Sequence, residues 1–224
     1  QEAYLDPKYN GTLPTFGAAD PTTAMQDLTN AGFTKGSDGI FAKAGKKLSF
    51  KVTVPGDYSD YVADLQIAAQ SLKAAGIDLQ LNEVSDNDFR TDRATGNFQL
   101  LMSGGFFGPT PYYYFEPLLH STHIGGANGT DWSQWKDATT DSLLNQYSAT
   151  SDPTQQKQII QQLSNIMATQ LPVIPVLDAI QFFEYTTVNW TGWPTPQNPY
   201  AIGSAYPLAA GDNEQVILHL TPAS

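Results

Sequence analysis

Residues 48–81 constrain this chain more than any other stretch. Leu48, Phe50, Val52 and Val54 alternate with Ser49, Lys51 and Thr53, the period of a strand with one covered face. Pro55-Gly56 breaks the run. Val62, Leu65, Ala69 and Leu72 then fall on one helical face, Gly76 stops the helix, and Ile77, Leu79 and Leu81 alternate again. Strand, helix and strand in so short a span predict a βαβ unit with parallel strands and a right-handed crossover. The remaining turns must pack on that unit, so the fold class is α/β.

A second round follows. Asp86–Thr95 reads as a short helix capped by Asp86 or Asn87 and closed by Gly96, and Phe98–Met102 reads as the next strand. The βαβ core therefore runs over 48–102. Upstream, Asp20-Pro21 offers a cap and a first-turn proline for a helix ending at Gly32, and 33–47 reads as a short excursion turning at Ser37-Asp38-Gly39. Downstream, helices are predicted around Thr140–Tyr147 and from Asp152-Pro153 to about Gln170, the latter with Ile159, Ile160, Leu163, Ile166 and Met167 inward. Leu171–Leu177 reads as extended, and Val216, Leu218 and Leu220 read as a terminal strand.

Ligands of open α/β sheets lie beyond the carboxyl ends of the strands. Here the Phe98–Met102 strand runs into Ser103–Phe115, which carries Phe106, Phe107, Tyr112, Tyr113, Tyr114 and Phe115 among glycines and prolines. Rings stack on apolar faces, and neutral amides or carboxylates take hydroxyl edges. The candidate ligand-binding residues are Phe106, Phe107, Tyr112, Tyr113, Asn128, Asp131, Trp132 and Trp135, with Gln134 as a further donor. Packing competes for every ring. Tyr112-Tyr113-Tyr114-Phe115 cannot all face one way, and Trp132 and Trp135 could both cover the following helix.

Other chemistry is thin. The chain has 22 acidic and 11 basic residues, a net charge of −11, which repels phosphates and excludes nucleic acid as a partner. It has no cysteine, hence no disulfide and no thiolate metal site. His120 and His123 have helical ligand spacing, but the third histidine, His219, is remote, so neither metal nor cofactor is expected. Glu116 with Asp131 or Asp137 is the nearest thing to a glycosidase pair, among too many acids to single it out. Ser103-Gly104-Gly105 lacks the frame of a nucleophile elbow. The expectation is a protein that holds a molecule without changing it. No apolar run is long enough to cross a membrane as a helix, and no signal peptide is visible before Gln1-Glu2-Ala3.

Several of these motifs resemble a known family. The helix to Ala31-Gly32-Phe33, the stretch Lys73-Ala74-Ala75-Gly76-Ile77, Gly96-Asn97-Phe98-Gln99-Leu100, and Asp152-Pro153 leading to Leu171-Pro172-Val173-Ile174-Pro175 resemble the dipeptide, oligopeptide and nickel group of solute-binding proteins of ABC importers. The resemblance spans roughly residues 20–190. It implies a type II periplasmic-binding-protein-like lobe with a mostly parallel central sheet flanked by helices. It further implies that residues 1–175 are a C-terminal ligand-binding lobe and that 176–224 return to a missing N-terminal lobe. The implied partners are that lobe, an ABC permease in the membrane, and an oligosaccharide or peptide ligand. The implied place is extracytoplasmic, periplasmic or as a cell-surface lipoprotein, with a secretion signal upstream.

Peptide-binding members commonly carry an acidic residue in the loop after this strand, where it pairs with the peptide ammonium. Here no carboxylate occurs between Met102 and Glu116. A buried ammonium without an anionic partner is costly. The loop is instead similar to members that bind cello-oligosaccharides, as is Gly129-Thr130-Asp131-Trp132-Ser133-Gln134-Trp135, although Asp131 stands where Asn would be expected. The implied cargo is a neutral oligosaccharide, the alternative an oligopeptide.

Overall fold

The computed structural model describes residues 4, 20–126, 129–177, 183–203 and 210–223. The chain divides into two compact units, 1–173 and 174–224.

The first unit is built on the predicted βαβ. Strand β4 (Ser49–Pro55), helix α2 (Ser59–Ala74) and strand β5 (Asp78–Val84) follow one another, and β4 and β5 pair in parallel from Ser49↔Asp78 to Pro55↔Val84. Helix α3 (Asp86–Thr95) leads to β6 (Leu100–Leu101), which pairs in parallel with the other edge of β4. The sheet order is β5-β4-β6, so β4 is central. Val52 and Val54 of β4 pack with Leu65 of α2 in a small core that Leu79, Leu81 and Met102 flank.

Caps follow from local chemistry. Asp20 Oδ1 accepts from the Thr22 and Thr23 amides to start α1 (Pro21–Asn30). The α3 cap is Ser85, whose Oγ accepts from the Asp88 amide, where sequence reading favours Asp86 or Asn87. Ser85 is extended, as a cap must be, while Asp86 is already helical. Residues 33–47 are more ordered than an excursion. They form an antiparallel sheet of β1 (Thr34–Lys35), β2 (Phe41–Lys43) and β3 (Lys46–Lys47). Strands of two or three residues are too short to show alternation.

A second core in the same unit is helical. It joins α4 (Tyr112–Leu119), α5 (Ala138–Ala149) and α6 (Pro153–Gln170). Phe115, Leu118, Leu119, Leu143, Leu144 and Tyr147 pack with Ile159, Ile160, Leu163, Ile166 and Met167, the five residues expected inward on α6. Tyr112–Phe115 thus belong to a helix and not to the loop before it. Leu171 caps α6 in the left-handed conformation (φ 49°), and the following residues to 177 form no strand.

In the second unit, β7 (Trp190–Thr191) pairs antiparallel with β8 (Thr221–Pro222). Between them α7 (Ala210–His219) replaces the terminal strand expected from Val216, Leu218 and Leu220. Ile217 interrupts that alternation with a fourth apolar residue. In the helix, Val216 is buried while Ile217 and Leu218 face outward. Rings line this unit: Phe183 stacks on Tyr185 and Tyr185 on Trp193 (centres 6.1 and 5.2 Å apart), and Tyr200 stacks on His219 at 4.2 Å.

Candidate ligand site

The carboxyl ends of β4, β5 and β6 lie together because the three strands are parallel. The chain leaves β4 through Gly56-Asp57-Tyr58, β5 through Ser85-Asp86, and β6 through Met102 into Ser103–Pro111. Tyr58 donates to Asp86 Oδ1 at 3.3 Å and meets Tyr61 edge-on at 5.6 Å. Arg90 Nε donates to Asp86 Oδ2 at 2.7 Å and holds that carboxyl below its ordinary range. Gly104 passes close to Tyr61: a Cβ there would sit 3.2 Å from the Tyr61 hydroxyl.

The eight candidate residues divide sharply in environment. Phe107 and Tyr113 are open to solvent, 54% and 48% exposed. Phe106 is partly buried against the helical core and tilts toward Trp132, ring centres 5.8 Å apart. Tyr112 stacks on Tyr147 at 4.4 Å and 7°, so one of its faces is already covered. Trp132 donates from Nε1 to the Gly129 carbonyl at 2.8 Å. Trp135 donates from Nε1 to Thr140 Oγ1 at 3.0 Å and packs on the helical core, covering the start of α5. Asn128 lies outside the described residues.

Asp131 is 1% exposed. Its Oδ1 accepts from Ser133 Oγ (2.7 Å) and the Trp135 amide (3.3 Å), closing the turn that carries both tryptophans. Its Oδ2 is buried without a hydrogen-bond partner. Burial raises the Asp131 pKa, against the lowering effect of the Ser133 and backbone hydrogen bonds. Asp131 acts first as the anchor of the turn, and Trp132 is presented by it.

One residue of this region is missed by sequence reading. Arg93, on α3, places its guanidinium carbon 4.3 Å from the centre of the Trp132 ring and 5.5 Å from that of Phe89. A stack of Phe89, Arg93, Trp132 and Phe106 thus runs from the sheet layer to the helical core.

The carboxylates considered for hydrolysis have other partners. Glu116 Oε1 lies 2.6 Å from His123 Nε2, and Asp137 Oδ1 caps α5 by accepting from the Thr140 amide at 2.7 Å. His120 Nδ1 meets Thr122 Oγ1 at 2.8 Å. Among the described residues no group of three His, Asp or Glu side chains converges as a metal site requires.

A parallel sheet flanked by helices, with a ring-bearing loop at its carboxyl edge, defines an α/β lobe of the periplasmic-binding-protein kind. The chain belongs to the bacterial extracellular solute-binding proteins, family 5, whose middle-region model matches residues 3–126, more than half of it. Its fold is similar to that of the mannohexaose-bound periplasmic oligopeptide-binding protein of an ABC transporter from Thermotoga maritima (TM-score 0.79, 22% identity, 98% of this chain and 42% of that one). It is also similar to the oligopeptide-binding protein AppA from Bacillus subtilis in complex with a nonapeptide (0.59, 23%, 68% and 30%). NikZ from Campylobacter jejuni in complex with Ni(L-His) is a third (0.61, 21%, 68% and 31%). At such identities the likeness carries the fold alone. The chain spans less than half the length of these proteins. No curated protein sequence matches it.

Proposed function

We propose that this chain is one lobe of the substrate-binding component of an ABC importer, and that it lines half of a cleft for an oligosaccharide. The cargo is uncharged where it meets the rings. The carrying observation is the loop from β6: Phe107 stands exposed, Phe106 and Trp132 form a ring pair behind it, and no carboxylate occurs before Glu116, which His123 already engages. Stacking on apolar sugar faces needs such rings, and an ammonium needs an acid that this loop lacks. The mannohexaose in the Thermotoga neighbour supports a sugar; the nonapeptide in AppA keeps an oligopeptide as the second reading.

In this reading the lobe does no chemistry. It closes with a companion lobe around the ligand, outside the cytoplasm, and passes it to a membrane permease. Residues 176–224 return toward that companion lobe.

Isothermal titration of the full open reading frame with cello-, xylo- and manno-oligosaccharides and with peptides of two to six residues tests the cargo. Saturable binding of at least one sugar series is expected. Binding of peptides alone would discard the sugar and leave the family untouched.

A further inference from the structure

Arg93 differs from the other arginine of α3. Its neighbour Arg90 is paired with Asp86 at 2.7 Å. Arg93 has no carboxylate oxygen within 4 Å among the described residues, in a chain with twice as many acids as bases. Its Nη1 reaches Ser103 Oγ at 3.5 Å, beyond the usual length of such a bond. Five N–H donors are fixed in a planar fork, and that contact employs one of them weakly.

The cation is nevertheless held firmly. Phe89 and Trp132 flank it, and it is half-buried. Burial pulls its pKa down, but a guanidinium starts so high that it stays charged. Asp86, already paired with Arg90, acts on this cation only from beyond contact distance, so a half-buried guanidinium is left without a carboxylate against its fork. Cation–π contact with Trp132 offsets part of the cost of its burial and fixes the fork in place.

Beside it is a recess of about 10 Å³, lined by Arg93, Trp132, Asp131 and Gly125, Gly126 and Gly129. That is room for one water or one small substituent, and too little for a sugar ring. Asp131 also lines the recess, but its oxygens make no ion pair with the guanidinium, and Oδ1 is taken up by the turn.

We propose that Arg93 receives a carboxylate carried by the cargo, so that the bound oligosaccharide includes a uronic acid unit. The inference rests on the sugar reading above and narrows it. A guanidinium fork matches a carboxylate with two parallel, charge-assisted bonds, about twice as strong as those to neutral hydroxyls. A peptide would also bring a carboxylate, but with an ammonium for which the loop has no acid. The net charge of −11 disfavours a polyuronide, so a single acidic unit on an otherwise neutral chain is the fitting class.

The test uses the full open reading frame and three probes of similar size: xylotetraose, a xylo-oligosaccharide bearing one glucuronic acid, and a tetrapeptide. Titration at low and at 0.5 M salt should show the acidic sugar binding about tenfold tighter than the neutral one, with the preference shrinking in salt. Arg93→Gln should bring the acid-to-neutral ratio to about one, and Arg93→Lys should restore only part of it. Equal binding of both sugars by the unaltered protein overturns the inference and leaves the sugar reading standing. So does an Arg93→Gln variant that weakens both sugars alike, because Arg93 then only props Trp132. Binding of the tetrapeptide alone overturns both readings, and binding of none of the three overturns the inference.

Discussion

At the scale of single residues, Asp131 makes two demands that conflict. Its Oδ1 is needed for the turn, while its Oδ2 is buried with no donor. An unsatisfied buried group costs roughly 1–3 kcal/mol, more when charged. Since the folded-state pKa is raised, the native state holds a proton that the unfolded chain releases sooner. Stability from this group is therefore full below the unfolded pKa and is lost as pH rises through the folded one, from about pH 4 upward. Asp131→Asn keeps the Oδ1 acceptor and removes the titration. We expect the variant to match or exceed the parent in urea denaturation at pH 8, and to lose that advantage toward pH 4. A variant less stable at pH 8 and unaffected by pH would mean that Oδ2 has a partner in solution. Asp131 and the tryptophans were legible because acids and rings after a strand attract notice. Arg93 was not. In Asp86-Asn87-Asp88-Phe89-Arg90-Thr91-Asp92-Arg93 it looks like one more solvated charge, and only Trp132, far along the chain, distinguishes it.

At the scale of elements, the sequence is clearest where two signals agree. The β4-α2-β5 unit has alternation, helical spacing and a glycine stop, and its bounds agree to within a residue except that β5 runs past Leu81 to Val84. Where one signal stood alone it misled. Three apolar residues in alternation suggested a strand at 216–220, and the helix won. Rings after Gly and Pro suggested a loop at 112–115, whereas Pro111 precedes the first turn of α4. The α2–β5 joint gives a sharp prediction. Gly76 has φ +83°, and a Cβ there would meet Phe41 Cδ2 at 2.5 Å and the Gly39 carbonyl at 3.0 Å. Phe41 is buried and its amide donates to the Gly76 carbonyl at 2.8 Å, so the ring cannot easily retreat. Gly76→Ala should cost about 2 kcal/mol or more in equilibrium unfolding, combining a left-handed backbone with a collision. Ser85→Ala removes the α3 cap bond and the exposed bond from Ser85 Oγ to Asp88 Oδ2, and should cost about 1 kcal/mol. Equal costs for the two would contradict the crowding at Gly76.

At the scale of the molecule, the two units differ in how they treat apolar surface. The first gathers most of its buried aliphatic side chains into two cores, with Ile67 and Leu171 left exposed. The second leaves Val188 and Leu218 78% and 77% exposed, along with Ile217, Ile202 and Trp190. So many exposed apolar side chains, in a segment of about fifty residues, fit the proposal that a companion lobe covers it. Periodicity revealed the α/β class but not this, because an apolar residue reads the same in sequence whether it is buried within its own unit or left exposed. The proposed return of 176–224 to a companion lobe has a direct consequence for amide exchange. Backbone groups that open freely in the isolated chain should be protected once the partner surface is supplied. Hydrogen–deuterium exchange of this chain alone and within its full open reading frame should show residues 183–203 and 210–223 slowed by at least tenfold in the longer protein. The α5–α6 core should exchange equally in both, because its packing is complete within the first unit. Identical exchange of 183–203 in the two forms would remove the crossing segment from the proposal and leave the ligand surface at the sheet edge as it stands.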